Sequence, residues 1–212
     1  MDLNVWLFLS LPILALLYAL FYRIKGHLRL LPKCGATIVC VATAFAGLTA
    51  RGTNPLHSLL FWGIVACALG DALLELHFVS GMGAFGLGHV LLIAWMISIS
   101  GGISWISVLI WLLAYLGALV MFHEDLRSVQ GSKAPFLLYP IVLMAMASIA
   151  ALLPWRIGTQ ATTIALGGIL FTVSDIMVAK GVFGKLSPAM DKLALALYYL
   201  AVYALALSTW ML

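Results

Sequence analysis

Apolar residues run along this chain in long blocks, broken only by short stretches that carry charge, glycine or proline. The blocks fall at about 3–22, 34–50, 56–78, 84–100, 104–122, 135–153, 159–181 and 189–211. Each is about 17–23 residues, the length a helix needs to cross the hydrocarbon core of a bilayer. The ten-residue alternation that builds a membrane barrel does not occur, so the blocks read as helices. The punctuation agrees. Pro32-Lys33 precedes the second block, Asn54-Pro55 opens the third, and Gly81 and Gly83 mark a turn after it. Ser187-Pro188 has the form of an N-cap followed by proline at the first helical position. Short connections make sequential helices antiparallel. The pattern predicts an all-α, polytopic membrane bundle of eight transmembrane helices, with residues 1–212 as a single integral membrane domain.

Composition strengthens this reading. The chain is 65% hydrophobic and 8% charged, against about 25% charge in a soluble globular domain. The net charge of +4 sits in the connections and reports orientation, not nucleic-acid binding. The odd-numbered connections carry Arg23, Lys25, Arg29, Lys33, Arg127, Lys133, Lys180, Lys185 and Lys192, and the even-numbered ones only Arg51 and Arg156. By the positive-inside rule both termini face outward and the odd connections face the cytoplasm. A bacterial inner membrane is the expected compartment. A cleavable signal peptide is not expected, because Asp2 stands where a basic n-region would be. Cys34, Cys40 and Cys67 all lie in apolar runs and imply neither a disulfide framework nor a metal site.

Polar residues inside the spans change the picture further. An ionisable residue there costs about 2.5–3.5 kcal/mol or more and marks a candidate functional site. Asp71, Glu75 and His77 fall in or at the edge of the third span, His89 in the fourth, Asp175 in the seventh, and Tyr198 and Tyr199 in the eighth. With the hairpin tip taken near Ser80, Asp71 and His89 lie at equal depth. Asp71 and Glu75, at i and i+4, share a helix face. Asp71, Glu75, His89, Asp175 and the tyrosine pair are therefore expected to converge on one cavity in the cytoplasmic half of the bundle. The competing reading of any one carboxylate is a hydrogen-bonded clamp between helices. His77 reads as structural, and His123, Glu124 and Asp125 as solvated. Gly70-Asp71 and Ser174-Asp175 also echo each other 104 positions apart, four spans on, as in a 4+4 parallel repeat.

Familiar catalytic patterns are missing or out of context. The segment 81-GMGAFG-86 follows a membrane helix instead of a strand. The segment 184-GKLS-187 lacks the upstream glycine of a phosphate loop, His123-Glu124 has no second histidine, and no G-x-S-x-G elbow occurs. No close-spaced ligand pair supports a metal.

Four short motifs in order, 70-GDALL-74, 85-FGLGH-89, 174-SDIMVA-179 and 198-YY-199, resemble the YhhN-like family, whose eukaryotic members include lysoplasmalogenase. The resemblance spans the whole chain. It implies a membrane hydrolase that cleaves the vinyl ether of lysoplasmalogens to a fatty aldehyde and a glycerophosphocholine or glycerophosphoethanolamine. It implies catalytic roles at Asp71, His89 and Asp175 and substrate contacts at Lys33, Glu75, Tyr198 and Tyr199. Lys33 matches the lysine of the family's Lys-Pro pair, although Cys34 follows it here; Val202 stands where the family often has glutamine. The implied partners are a lysophospholipid and the bilayer, with no nucleic acid.

The chemistry suits such residues. A vinyl ether resists nucleophiles but yields to acid: protonation at carbon gives an oxocarbenium ion, water adds, and the hemiacetal collapses. A positioned proton donor and a nearby anion are needed, as in glycosidases, and two neighbouring carboxyls can divide those roles. No serine, metal or organic cofactor is required. Which carboxyl is the acid stays open at this point. The substrate phosphate would rest near a basic rim of Arg29, Lys33, Lys180 and Lys185. The alternative is a proton-coupled transporter of a small or lipid-like substrate, since buried carboxylates also serve proton relays. A carrier usually has broken helices at its site, and no mid-span proline is expected beside this cluster.

Overall fold

The computed structural model describes residues 2–52 and 55–212. Among them are the helices α1 (Leu3–Arg23), α2 (Leu30–Arg51), α3 (Pro55–Leu76), α4 (Phe78–Ser100), α5 (Trp105–Met121), α6 (His123–Ser128), α7 (Ala134–Ile157), α8 (Thr162–Val182) and α9 (Pro188–Met211). Among the described residues seven helices are long and apolar enough to cross a membrane; α5, at 17 residues, sits at the short end of that range. The eight predicted spans are all helical, and α6 is an additional short helix in the connection after α5. Asn54, expected to open the third span, lies outside the described residues.

Local chemistry sets the helix ends. Ser187 Oγ accepts from the Met190 amide at 3.3 Å with Pro188 at the first position of α9, as the sequence predicts. The tip of the α3–α4 hairpin differs from expectation. It is His77, whose Nδ1 accepts from the Ser80 amide at 3.3 Å and caps α4. Gly81 and Gly83 are helical. Gly81 is small because α3 passes close: a Cβ there would come within 2.6 Å of the Leu74 amide nitrogen. The 81-GMGAFG-86 segment is thus ordinary helix.

The helices pack around a closed ring, α2–α3–α4–α7–α8–α9 and back to α2, while α1 packs on α2 and α5 on α7 from outside. As a peripheral helix in lipid should, α5 exposes Trp105, Leu113 and Val120. The arrangement repeats after four spans. Helices α1 to α4 pack in sequence, as do α5, α7, α8 and α9, and the halves join through the equivalent pairs α2–α9 and α4–α7. The repeat extends to atoms. A Cβ on Gly63 of α3 would meet Leu92 Cγ at 3.0 Å and the Gly88 carbonyl at 3.3 Å. A Cβ on Gly167 of α8, 104 positions later, would meet Leu205 Cγ at 2.7 Å and the Ala201 carbonyl at 3.0 Å. Each half thus draws its third and fourth helices together at a glycine, as membrane helices do when dispersion forces hold them.

Candidate functional site

Enclosed by the ring is a cavity of about 360 Å³ that opens at the end carrying the odd-numbered connections. Its walls are mainly Leu, Phe and Met side chains. The polar groups come from a few positions on α1, α2, α3, α7, α8 and α9 and from Arg29 just before α2.

Asp71, on α3, is 3% exposed and lines the cavity. Its Oδ1 lies 3.2 Å from Lys33 Nζ, which is 2.8 Å from Glu75 Oε1. Asp71 Oδ2 has no hydrogen-bond partner among the described residues. Lys33 is on the first turns of α2 and buried, so it is part of the bundle interior and not of a solvated loop. The Lys33 ammonium offsets much of the cost of burying Asp71, while Glu75, its second partner, is exposed. Gly70, beside Asp71, is required by packing: a Cβ would lie 2.7 Å from the Phe85 ring.

Asp175, on α8, faces the same cavity. The Tyr139 hydroxyl of α7 donates to its Oδ2, and its described ion pairs and hydrogen bonds include no cation. Beside it, Ser174 Oγ donates to the Ala194 carbonyl at 2.8 Å, tying α8 to α9. Pro140 follows Tyr139 inside α7 and also lines the cavity, contrary to the expectation of no mid-span proline near the cluster. It cannot donate to the carbonyl one turn back, which interrupts the helix ladder next to the tyrosine.

Tyr198 and Tyr199 part company. Tyr198 lines the cavity, packs edge-on against Phe85 and Phe171 with centroids 5.8 and 5.5 Å away, and donates to the Cys67 carbonyl at 3.4 Å. Tyr199 points away from it, 2% exposed, and its hydroxyl donates to the Lys33 carbonyl at 3.5 Å. It supports the helix that carries Lys33.

His89 is not in the cavity wall. With the hairpin tip at His77, Asp71 lies six residues before it and His89 twelve after, or about 9 and 18 Å along the helices. The expectation of equal depth rested on a tip three residues too late. His89 is fully buried one layer behind, with its ring edge-on to Phe171 at 4.7 Å and to Tyr139 at 5.5 Å. Its Nδ1 lies 2.6 Å from the Phe85 carbonyl, which can only accept, so the proton is on Nδ1. Nε2 is then an acceptor without a partner among the described residues. His89 touches the cavity wall from behind, through Phe85 and through Tyr139, the residue that bonds Asp175.

Tyr139 is a polar cavity residue that sequence reasoning missed, as are Tyr22 and Asp191 at the mouth. A tyrosine in a span is common, and only its position one half-chain on from Lys33 hints at a matching role. At the cavity mouth a further surprise is Asp125, expected to be solvated. Its side chain is 4% exposed, 3.3 Å from Lys180 Nζ and bonded also by Lys185. The hydrogen bond from Lys185, reinforced by Lys180, holds the Asp125 carboxyl below the usual carboxylate range, and the same contact raises Lys185. This latch ties α6 to α8 beside Phe122 and Phe183, both of which line the cavity.

Neither the curated proteins nor the solved structures gave a significant match to this chain. The YhhN family model matches residues 5–209. Those residues include every polar group of the cavity and all of the ring but the last two residues of α9, and the chain belongs to the YhhN family.

Proposed function

We propose that the chain is a lysoplasmalogenase that hydrolyses the vinyl ether of lysoplasmalogens with two carboxyl groups and no organic cofactor. The family is associated with hydrolase activity and includes lysoplasmalogenases. One observation carries the finer reading. Asp71 and Asp175 enter one cavity from equivalent helices, yet one is partnered by an ammonium and the other by a hydroxyl.

That difference divides the roles. Asp71, beside Lys33, is the anion; Asp175, held by Tyr139, carries the proton. Asp175 protonates the β-carbon of the vinyl ether, and the C=C pair forms the new C–H bond. The oxocarbenium ion that results lies against Asp71. Water adds to the cationic carbon and its proton passes to Asp71. Collapse of the hemiacetal returns its hydroxyl proton to Asp175 while Asp71 protonates the departing glycerol oxygen. Both groups end as they began, and water has been consumed for one aldehyde and one alcohol. Tyr139 orients the acid and His89 fixes Tyr139 from behind. The mouth, ringed by the basic connections, is assigned to the cytoplasmic side of a bacterial inner membrane on the charge asymmetry.

The experiment is direct: purified protein incubated with a lysoplasmalogen releases free aldehyde, detected as a hydrazone. Absence of aldehyde from well-folded protein overturns the reading. The internal repeat also suits a proton-coupled carrier. Substrate accumulation in proteoliposomes driven by a pH gradient, without cleavage, would favour that alternative.

A further inference from the structure

Four cations were expected to ring the substrate phosphate, and three of them are already engaged. Lys33 is held by Asp71 and Glu75. Lys180 and Lys185 share Asp125. Arg29 is different. It lines the cavity, its guanidinium lies 4.3 Å above the Phe21 ring, and among the described residues it forms no ion pair or hydrogen bond through that group. Asp191, in the first turn of α9, lines the same mouth, and its carboxylate likewise has no partner among the described residues. Tyr22 lies between them: its ring lines the cavity and its hydroxyl donates to the Asp191 carbonyl at 3.5 Å. An unpaired cation and an unpaired anion thus face one opening without meeting each other.

We propose that Arg29 and Asp191 form a headgroup site for a zwitterionic phospholipid, Arg29 taking the phosphate and Asp191 the amine. This rests on the hydrolase reading and names the residues that select its substrate. The guanidinium offers a planar pair of donors matched to phosphate oxygens. Stacking on Phe21 fixes its plane. Asp191 supplies charge to an ammonium; the Tyr22 ring beside it already carries the Lys192 ammonium, 5.4 Å from its centroid. The lipid chain then runs inward along the apolar wall, which carries the bond next to the headgroup toward Asp71 and Asp175. The polar rim and greasy interior together exclude a free phosphate ester as the preferred ligand.

Binding tests this without turnover. Acyl lysophosphatidylcholine, lysophosphatidic acid and monoacylglycerol are titrated against detergent-purified protein by calorimetry. Arg29→Gln is expected to weaken both phosphate lipids by about tenfold or more, as loss of a charge-assisted pair implies, and monoacylglycerol by less than about twofold. Asp191→Asn is expected to weaken lysophosphatidylcholine alone, and to leave or strengthen lysophosphatidic acid. Equal losses on all three lipids, or none, would overturn the assignment. Aldehyde release that persists despite such a result would leave the hydrolase standing and remove only the headgroup site. The expected binding pattern without aldehyde release would do the reverse.

Discussion

Asp71 and Asp175 stand 104 positions apart on equivalent helices of the two halves, and each is bonded from the second helix of its own half. For Asp71 that partner is Lys33 on α2, and for Asp175 it is Tyr139 on α7. A common scaffold thus holds the same side chain twice in two electrical settings.

If the two carboxyls act as acid and anion, both must be ionisable. Asp71→Asn and Asp175→Asn are each expected to lower aldehyde release by about 10²–10⁴-fold, with elution and melting close to the parent. Tyr139→Phe removes one hydroxyl that touches Asp175 and is expected to cost about tenfold in kcat with little change in KM. Asparagine variants that turn over at the parental rate would make these residues helix clamps.

Removing Lys33 leaves Asp71 buried without its cation. Lys33→Met is expected to destabilise the protein by about 3–5 kcal/mol, the usual result of orphaning a buried charge. Lys33→Met combined with Asp71→Asn should recover much of that loss in thermal melts, because no buried charge remains unpaired. A double variant as unstable as the single one would mean that Lys33 acts by packing alone.

Gly63 and Gly167 bring paired helices into contact in each half. Gly63→Val and Gly167→Val are each expected to cost about 1–3 kcal/mol by overpacking. Gly83→Ala, where a Cβ meets nothing within 4 Å, serves as the control that should melt like the parent. A neutral Gly167→Val would show that α8 and α9 can separate freely.

The Asp125 latch gives a pH dependence of known sign. Its carboxyl is held low in the folded protein, so its contribution is complete above the unfolded value of about 3.9 and fades as pH falls through the folded one. Asp125→Asn is therefore expected to lower the melting temperature at neutral pH while leaving it unchanged once the pH is below the folded value, where Asp125 is protonated. An equal loss at both ends of the range would exclude the ion pair as the cause.

Orientation has its own check. A C-terminal reporter active only in the cytoplasm should be silent, since nine of the eleven basic residues lie at the opposite end of the even-numbered bundle. A bright signal would move the cavity mouth to the other face.

The spans, their order and the repeat were legible because a bilayer demands long apolar runs and tolerates few polar residues within them. Asp71 and Asp175 stood out for that reason, and they do face one cavity. His89 was misplaced by one wrong turn. Gly81 and Gly83 resemble turn residues, and only the closeness of Leu74 on α3 shows that Gly81 is small for packing. Lys33 looked like loop charge because Pro32 precedes it, yet proline is accepted in a first helical turn, where its missing N–H has no partner to lose. Tyr139 and Asp125 were hidden because their roles depend on what lies opposite them, and a single sequence does not record which helix faces which.

The repeat also bears on origins. A chain holding only one four-helix half would have to assemble as a parallel pair of identical copies, with the cavity on the symmetry axis between them. Every residue facing that axis would then occur twice, and a lysine introduced beside one carboxyl would appear beside the other. Fusion of the two copies into one gene frees the halves to mutate separately. Only after that step can one carboxyl acquire an ammonium and its twin a phenol.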